Sequence, residues 1–205
     1  MSKCLVGSAK AIFQSDFSPA LAYVASDEIN LLFLYTAPFG PRVEKTDSIL
    51  PGVVSSAFSL SLRKFFQKTS IASFDARIIV SSLEKIAQYL ACRQADAWRN
   101  HNNAYAYWVL RKAGHKLSEA AKTLKNLKFK DLHDLILHPD VNVAQTLAWQ
   151  RRGILIYRKL YKKRMENRVV TRRRIRENWN LPLVTSKDGK ALIQKILERA
   201  KPTAE

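Results

Sequence analysis

Cysteine is scarce: two in 205 residues, Cys4 and Cys92, far apart and forming no CxxC unit. That argues against a disulfide framework and reads as two reduced thiols in a cytoplasmic protein. His101, His115, His133 and His138 lack the spacing and cysteine company of a zinc site. No apolar run approaches the roughly 18 residues that a bilayer crossing needs, so no membrane span is expected. The opening MSKCLVGSAKAIF is interrupted by Ser8 and Lys10 and is too short to serve as a secretory signal. Internal repeats and low-complexity linkers are missing as well. Negative charge is the other deficit: 17 acids stand against 35 Lys and Arg, leaving +18.

What is present is enough for a core. Hydrophobic residues make up 47% and aromatics 10%, too apolar for a disordered chain and of a length for one ordinary domain with a smaller appended lobe. The cationic excess points to a polyanion, nucleic acid or an acidic membrane surface. It is concentrated: residues 145–176 hold twelve basic residues and one acid, Glu166. That block has no clean amphipathic stripe, which ranks a membrane surface below nucleic acid.

A helix-compatible segment around Ala11 ends near Phe17-Ser18-Pro19. Leu21–Ala25 and Ile29–Tyr35 read as two strands joined by a tight polar turn, a β-hairpin with Asp27 and Glu28 at its tip. Pro38-Phe39-Gly40-Pro41 ends it. Val53 to Phe66 has helical spacing, and Phe74–Val80 is a short β-branched run that reads as a third strand. Ser82 to Lys112 predicts a long helix with Ile86, Tyr89, Leu90, Ala97 and Trp98 on one side. Two short helices follow, Ser118–Leu127 and Lys130–Leu137, and Pro139 breaks the chain. Gly153–Tyr157 suggests a strand entering the basic block, and Lys190–Ala200 a terminal helix. The class is α+β. Helix, strand, strand, helix, strand is a βαββαβ ferredoxin-like unit without its first strand, which in that topology lies between the third and fourth. The expectation is a gap at the centre of the sheet, with unpaired backbone on both sides.

Asp27 and Glu28 read two ways. Acids populate turns because they are solvated there. A carboxylate pair on a rigid strand end also suits Mg²⁺, a hard ion that takes carboxylate and phosphate oxygens together. Taken alone, the pair does not decide between them.

Five segments in order carry a resemblance: AYVASDEINLLF, PFGPRVEKTDS, FDARIIV, RQADAWRNHNNAYAYW, and WQRRGILIYRK followed by VTRRRIRENWNLPLVTSKDGK. Together, over roughly residues 15–195, they resemble the tRNA-His guanylyltransferase family, with Trp98 in WRNHNNAY similar to its archaeal-type, 3′–5′ polymerase branch. The resemblance implies a polymerase palm in residues 1–113 and a helical, basic tRNA-binding region in 114–205. It implies that Asp27 and Glu28 are the catalytic, metal-holding carboxylates for two Mg²⁺ ions. Arg42, Lys45, Arg93, Asp96 and Asn100 would bind nucleotide, with ATP and GTP as substrates. Arg151, Arg152, Arg158, Lys159, Lys162, Lys163 and Arg164 would hold tRNA, tRNA-His above all, and the interleaved Trp149, Tyr157 and Tyr161 would stack on bases. The implied reaction is addition of nucleotides to an RNA 5′ end after ATP-dependent activation, templated by base pairing in the archaeal-type branch, in a homo-oligomer.

One family feature is missing: a first strand bearing an RxDGRxF motif, whose aspartate is the second essential metal ligand. Three readings follow: a split enzyme completed by a second polypeptide, a truncated chain, or a degenerate relative that binds RNA without catalysis. The intact hairpin, Arg42, Lys45 and Asn100 favour a split or truncated enzyme. The competing reading is the non-catalytic RNA-binding protein, which +18 and the basic block alone explain.

Overall fold

Strand β1 (Leu21–Ala25) is buried on both faces, and the rest of the fold is arranged around it. The computed structural model describes residues 1–127, 129–137, 142–165 and 168–200; His138, the expected break at Pro139 and the acid Glu166 lie outside them. β1 pairs antiparallel with β2 (Glu28–Leu32) on one side and with β3 (Ile154–Met165) on the other. β4 (Arg168–Asn178) pairs antiparallel with β3, so the sheet runs β2-β1-β3-β4. β1 and β2 come from residues 1–113 and β3 and β4 from 114–205, so the two regions share one sheet.

Period-two alternation sorts the sheet's side chains onto two faces. Ala22, Val24, Ile154 and Ile156 pack against Cys4, Leu5, Ala9 and Phe13 of α1 (Ser2–Gln14) and Phe58 of α2 (Val43–Phe66). Leu21, Tyr23 and Leu155 face the other way, onto Ile86 and Leu90 of α3 (Leu83–Lys112) and Ile193 and Ile196 of α7 (Lys187–Arg199). The distal half of α3 has a separate core. There Ala106 meets Leu132 and Ile136 of α5 (Phe129–Leu137), with Val143 and a partly buried Leu124 of α4 (Leu117–Asn126) beside them.

The α+β class, the hairpin, the long helix and the terminal helix are as the sequence reads them. Two expectations need correction. Phe74–Val80 is not a strand: it has no ladder partner, and Ile78, Ile79 and Val80 are 43%, 63% and 94% exposed. β-branched residues favour a strand only where a ladder forms, and here the Ala72 and Phe74 amides donate to the Ser59 and Ser55 hydroxyls of α2, which ties the start of the segment to that helix and not to a strand edge. Nor is there a gap at the sheet's centre. Its four strands are continuous, and the unpaired backbone lies instead on the outer edges of β2 and β4. The basic block also has more regular structure than expected, since both its halves belong to the long pair β3–β4.

Gly153 makes the entry into β3 possible. Its φ is +73°, and a Cβ there would stand 2.6 Å from the Tyr23 ring. Only glycine accepts both the left-handed backbone and the close ring at no cost.

Candidate functional site

Ser26 and Asp27 form the two-residue turn between β1 and β2, with Ser26 at φ 54°. This tip stands beside the middle of α3. Tyr23 and Gln94 fix the helix there. The buried Tyr23 hydroxyl donates to the Arg152 carbonyl at 3.0 Å and reaches the Arg93 carbonyl at 3.5 Å. Burial pushes the Tyr23 phenol well above its ordinary range, so it stays a donor at every physiological pH. Gln94 donates through Nε2 to the carbonyls of Arg152 (3.2 Å) and Pro182 (3.1 Å) and accepts from the Val184 amide at 2.8 Å. Buried at 5% exposure, it uses its side-chain hydrogen bonds to join α3 to the segments flanking β3 and α7.

A cleft of about 210 Å³ opens between the tip and α3, lined by Ala25, Ser26, Glu28, Arg93, Asp96, Ala97, Arg99 and Asn100. Its charged groups form a chain. Arg93 Nη1 lies 3.4 Å from Glu28 Oε2 and Arg93 Nη2 2.5 Å from Asp96 Oδ2, while Arg99 bonds the other Asp96 oxygen. Burial works against the charge on Arg93, but the carboxylates of Asp96 and Glu28 outweigh it and hold the guanidinium above its ordinary pKa. Arg93 also lies 5.8 Å from the Tyr89 ring, whose hydroxyl donates to Asn30 Oδ1 at 2.6 Å. Arg93 Nε and Asn30 Nδ2 are buried donors without a partner, an arrangement that favours an acceptor arriving from outside.

Of the residues singled out from the sequence, the structure brings Glu28, Arg93, Asp96 and Asn100 into one cleft. Asp27 is exposed on the turn beside it. Arg42 and Lys45 do not line it. Arg42 occupies the residue before α2 with no capping bond from its side chain, and Lys45 sits over the Phe39 ring, which packs edge-on against Phe17 near the start of β1, the end away from the tip. Ser26 and Arg99 were not read from the sequence; the three-residue step from Asp96 to Arg99 on a helix was the available signal for the second.

The donor set bears on metal binding. Asp27 and Glu28 are two adjacent carboxylates, and Mg²⁺ commonly takes one or two carboxylates with phosphate and water oxygens completing its shell. They therefore fit one ion, provided Arg93 releases Glu28. Among the described residues no group of three or more metal-binding side chains occurs.

The cations of the basic block are not equivalent. Arg151 donates to the Thr146 carbonyl and Arg152 to the Leu181 carbonyl, so both help hold α6 (Ala148–Arg152) in place. Arg158 donates to the Phe13 carbonyl at 2.7 Å. Lys162, Lys163 and Arg164 are exposed and Lys159 half-buried on β3. Among the described residues no helix is long and apolar enough to cross a membrane.

A family model described as tRNA-His guanylyltransferase matches residues 1–82. A curated protein of Arabidopsis thaliana, tRNA(His) guanylyltransferase 2, is 28% identical over 143 residues; the match covers 67% of this chain and 27% of that protein, so the chain spans about a quarter of its length. Among solved structures, a bacterial tRNA-His guanylyltransferase-like protein in complex with ATP superposes with TM-score 0.71 at 23% identity, over 95% of this chain and 77% of that one. The same kind of protein in complex with GTP gives 0.66 at 24%, with the same coverage. The tRNA-His guanylyltransferase of Saccharomyces cerevisiae gives 0.63 at 22%, over 75% and 72%. At these identities the solved structures establish the fold.

Proposed function

We propose that this chain, a relative of the tRNA-His guanylyltransferase family, is the nucleotide-binding and RNA-holding part of an enzyme that adds nucleotides to RNA 5′ ends. One observation carries the reading: Glu28 at the hairpin tip stands with Arg93, Asp96 and Asn100 in a single cleft, with Asp27 on the turn beside it, within a fold shared with proteins solved bound to ATP and GTP. In this reading the RNA 5′-monophosphate attacks the α-phosphorus of ATP and expels pyrophosphate. The 3′-hydroxyl of GTP then attacks the activated 5′ phosphorus and expels AMP. Both are phosphoryl transfers, in which positioning and charge neutralisation do most of the catalysis.

Each residue has a part in that scheme. Arg93 and Arg99 offer guanidinium forks to phosphate oxygens, exchanging Glu28 and Asp96 for the ligand. Asn100 contributes an amide at the cleft wall. The cleft is smaller than the roughly 300–1,000 Å³ that encloses a drug-sized ligand, so a triphosphate extends beyond it; Arg42 and Lys45, near the opposite end of β1, would meet only a nucleotide that reaches along that strand. Asp27 and Glu28 hold one Mg²⁺, which when bound neutralises phosphate charge and polarises the reacting phosphoryl oxygens. The open edge of β2 and the exposed apolar run Ile78–Val80 favour a further strand, supplied by a second polypeptide, that brings another carboxylate to the tip. We assign tRNA, tRNA-His first, as the RNA, and templated addition of the archaeal type as its mode.

The second reading, an RNA-binding relative without catalysis, is favoured by the ion pairs that already occupy Glu28 and Asp96. Thermal melting with GTP and Mg²⁺ separates the two. A ligand specific for the folded state raises stability by mass action, about 2.7 kcal/mol at one hundred times its Kd. A rise with GTP that Arg93→Ala removes supports the enzyme; no rise at millimolar GTP supports the RNA-binding relative.

A further inference from the structure

The β3–β4 register divides the basic arm into two unlike faces, because residues paired across an antiparallel ladder project to the same side. Tyr157 pairs with Arg176, Lys159 with Arg174 and Tyr161 with Arg172. This face continues the side of the sheet that carries Tyr23, Asn30 and Glu28, since Tyr23 pairs with both Leu155 and Asn30, and Ala25 with Glu28. On the opposite face Arg158 pairs with Ile175, Leu160 with Arg173 and Lys162 with Thr171. That side meets α1: Ile175 joins its core and Arg158 is bonded to Phe13.

Left to itself, the first face is unfavourable. Lys159 stands directly opposite Arg174, and Arg172, Arg174 and Arg176 follow one another at roughly 7 Å along β4. Like charges opposed across a ladder are destabilising. Among the described arm residues the one carboxylate, Glu177, is already held by Lys10 at 2.7 Å and by the Trp179 indole at 2.9 Å. Beyond Tyr157 the arm is a two-stranded ribbon whose residues are mostly exposed, and such a ribbon is marginal in water. A polyanion relieves all of this. The tyrosines indicate which kind: Arg174 lies 5.5 Å from the Tyr161 ring, so rings for stacking and cations for phosphates alternate on one surface.

We infer that the RNA is gripped by this face alone, through Lys159, Arg172, Arg174 and Arg176 with Tyr157 and Tyr161, and not by Lys162, Arg164 and Arg173 on the other side. The inference rests on RNA being the partner, as read above. It moves the contact away from half of the cations in the sequence block and onto the β4 arginines. It also sets a distance. β1 and β3 are antiparallel, so the arm leaves the sheet at the end away from the cleft; Tyr161 is seven residues beyond Ile154, roughly 23 Å along the strand. The gripped phosphates are therefore a substantial part of a duplex turn from the 5′ end in the cleft.

Two triple variants with equal charge loss test this: Lys159→Ala/Arg172→Ala/Arg174→Ala and Lys162→Ala/Arg164→Ala/Arg173→Ala. Their affinity for a 5′-monophosphorylated tRNA-His transcript is measured by fluorescence anisotropy from 50 to 300 mM salt, without nucleotide, and thermal melting checks that both fold. The first triple is expected to lose about a hundredfold in affinity, with the log–log salt slope falling by about 2 to 3, near 0.9 per phosphate contact. The second is expected to stay within about threefold. Tyr161→Leu is expected to lose about tenfold with the slope unchanged. Equal losses in the two triples, or no loss in either, overturn the inference. Because no nucleotide is present, face-selective binding by a protein that adds no nucleotide would leave this inference standing and sink only the enzymatic reading.

Discussion

Arg93 joins the β-hairpin to the long helix, lying 3.4 Å from Glu28 on β2 and 2.5 Å from Asp96 one helical turn along. These groups are about one-third exposed or more, so the pairs contribute little to stability, about 0–1 kcal/mol. Their importance is to ligand binding. Arg93→Ala is expected to weaken GTP binding at least tenfold in a titration while the melting temperature of the free protein moves by no more than a few degrees. A large loss of stability with unchanged GTP affinity would make Arg93 a structural residue only.

Gly153→Ala tests how closely the sheet is set against its own connection. The added methyl would enter the Tyr23 ring from a backbone at φ +73°. Overpacking and left-handed strain together are expected to cost about 2–4 kcal/mol in denaturant unfolding. A cost under 1 kcal/mol would mean that the ring moves aside freely.

Gln94→Leu is expected to cost about 2–4 kcal/mol, because it leaves the Val184 amide and the Pro182 carbonyl without their partner, while the Arg152 carbonyl keeps only the Tyr23 hydroxyl. Tyr23→Phe removes only a donor, and about 1 kcal/mol is expected. Both loosen the wall against which α3 presents Arg93 and Asp96, so GTP affinity should fall with them; unaltered affinity in both variants would separate this wall from the site.

Acid sensitivity is expected at the root of the arm. Burial alone would raise the Glu177 carboxyl, but the hydrogen bonds from Lys10 and Trp179 and the Lys10 charge outweigh it and hold Glu177 below its ordinary 4.5. A carboxyl depressed in the folded state stabilises the fold above its unfolded value and loses that contribution as pH falls through the folded one. Stability from this group should thus be complete above about pH 4.5 and decline on further acidification. Glu177→Gln should flatten that part of the pH–stability curve; a curve as steep as the wild type's would show the charge to be unimportant.

The hairpin was legible because its alternation, tight turn and acids are local signals, and the face of α3 because Ile86, Leu90 and Ala97 recur at helical spacing. Glu28 and Asn100 could be assigned to one site only through the family resemblance, as they lie far apart in the chain and on different elements. Phe74–Val80 misled because β-branched composition reports a willingness to pair and not the presence of a neighbour. The two faces of the arm were hidden for a related reason. Which cations share a side with Tyr161 depends on the cross-strand register, and that is a property of two segments together. Arg151 and Arg152 looked like the rest of the basic block because their carbonyl partners, Thr146 and Leu181, are not identifiable from spacing.

A 5′-extension assay tests the proposed chemistry most directly. The chain is incubated with ATP, GTP, Mg²⁺ and 5′-monophosphorylated tRNA-His lacking its extra guanosine, alone and with a polypeptide carrying an RxDGRxF-type strand. Expected is addition of guanosine in the supplemented reaction, abolished by Asp27→Ala while tRNA affinity changes less than about threefold. No addition in either reaction, with tRNA still bound, would contradict the enzymatic reading and leave an RNA-binding protein.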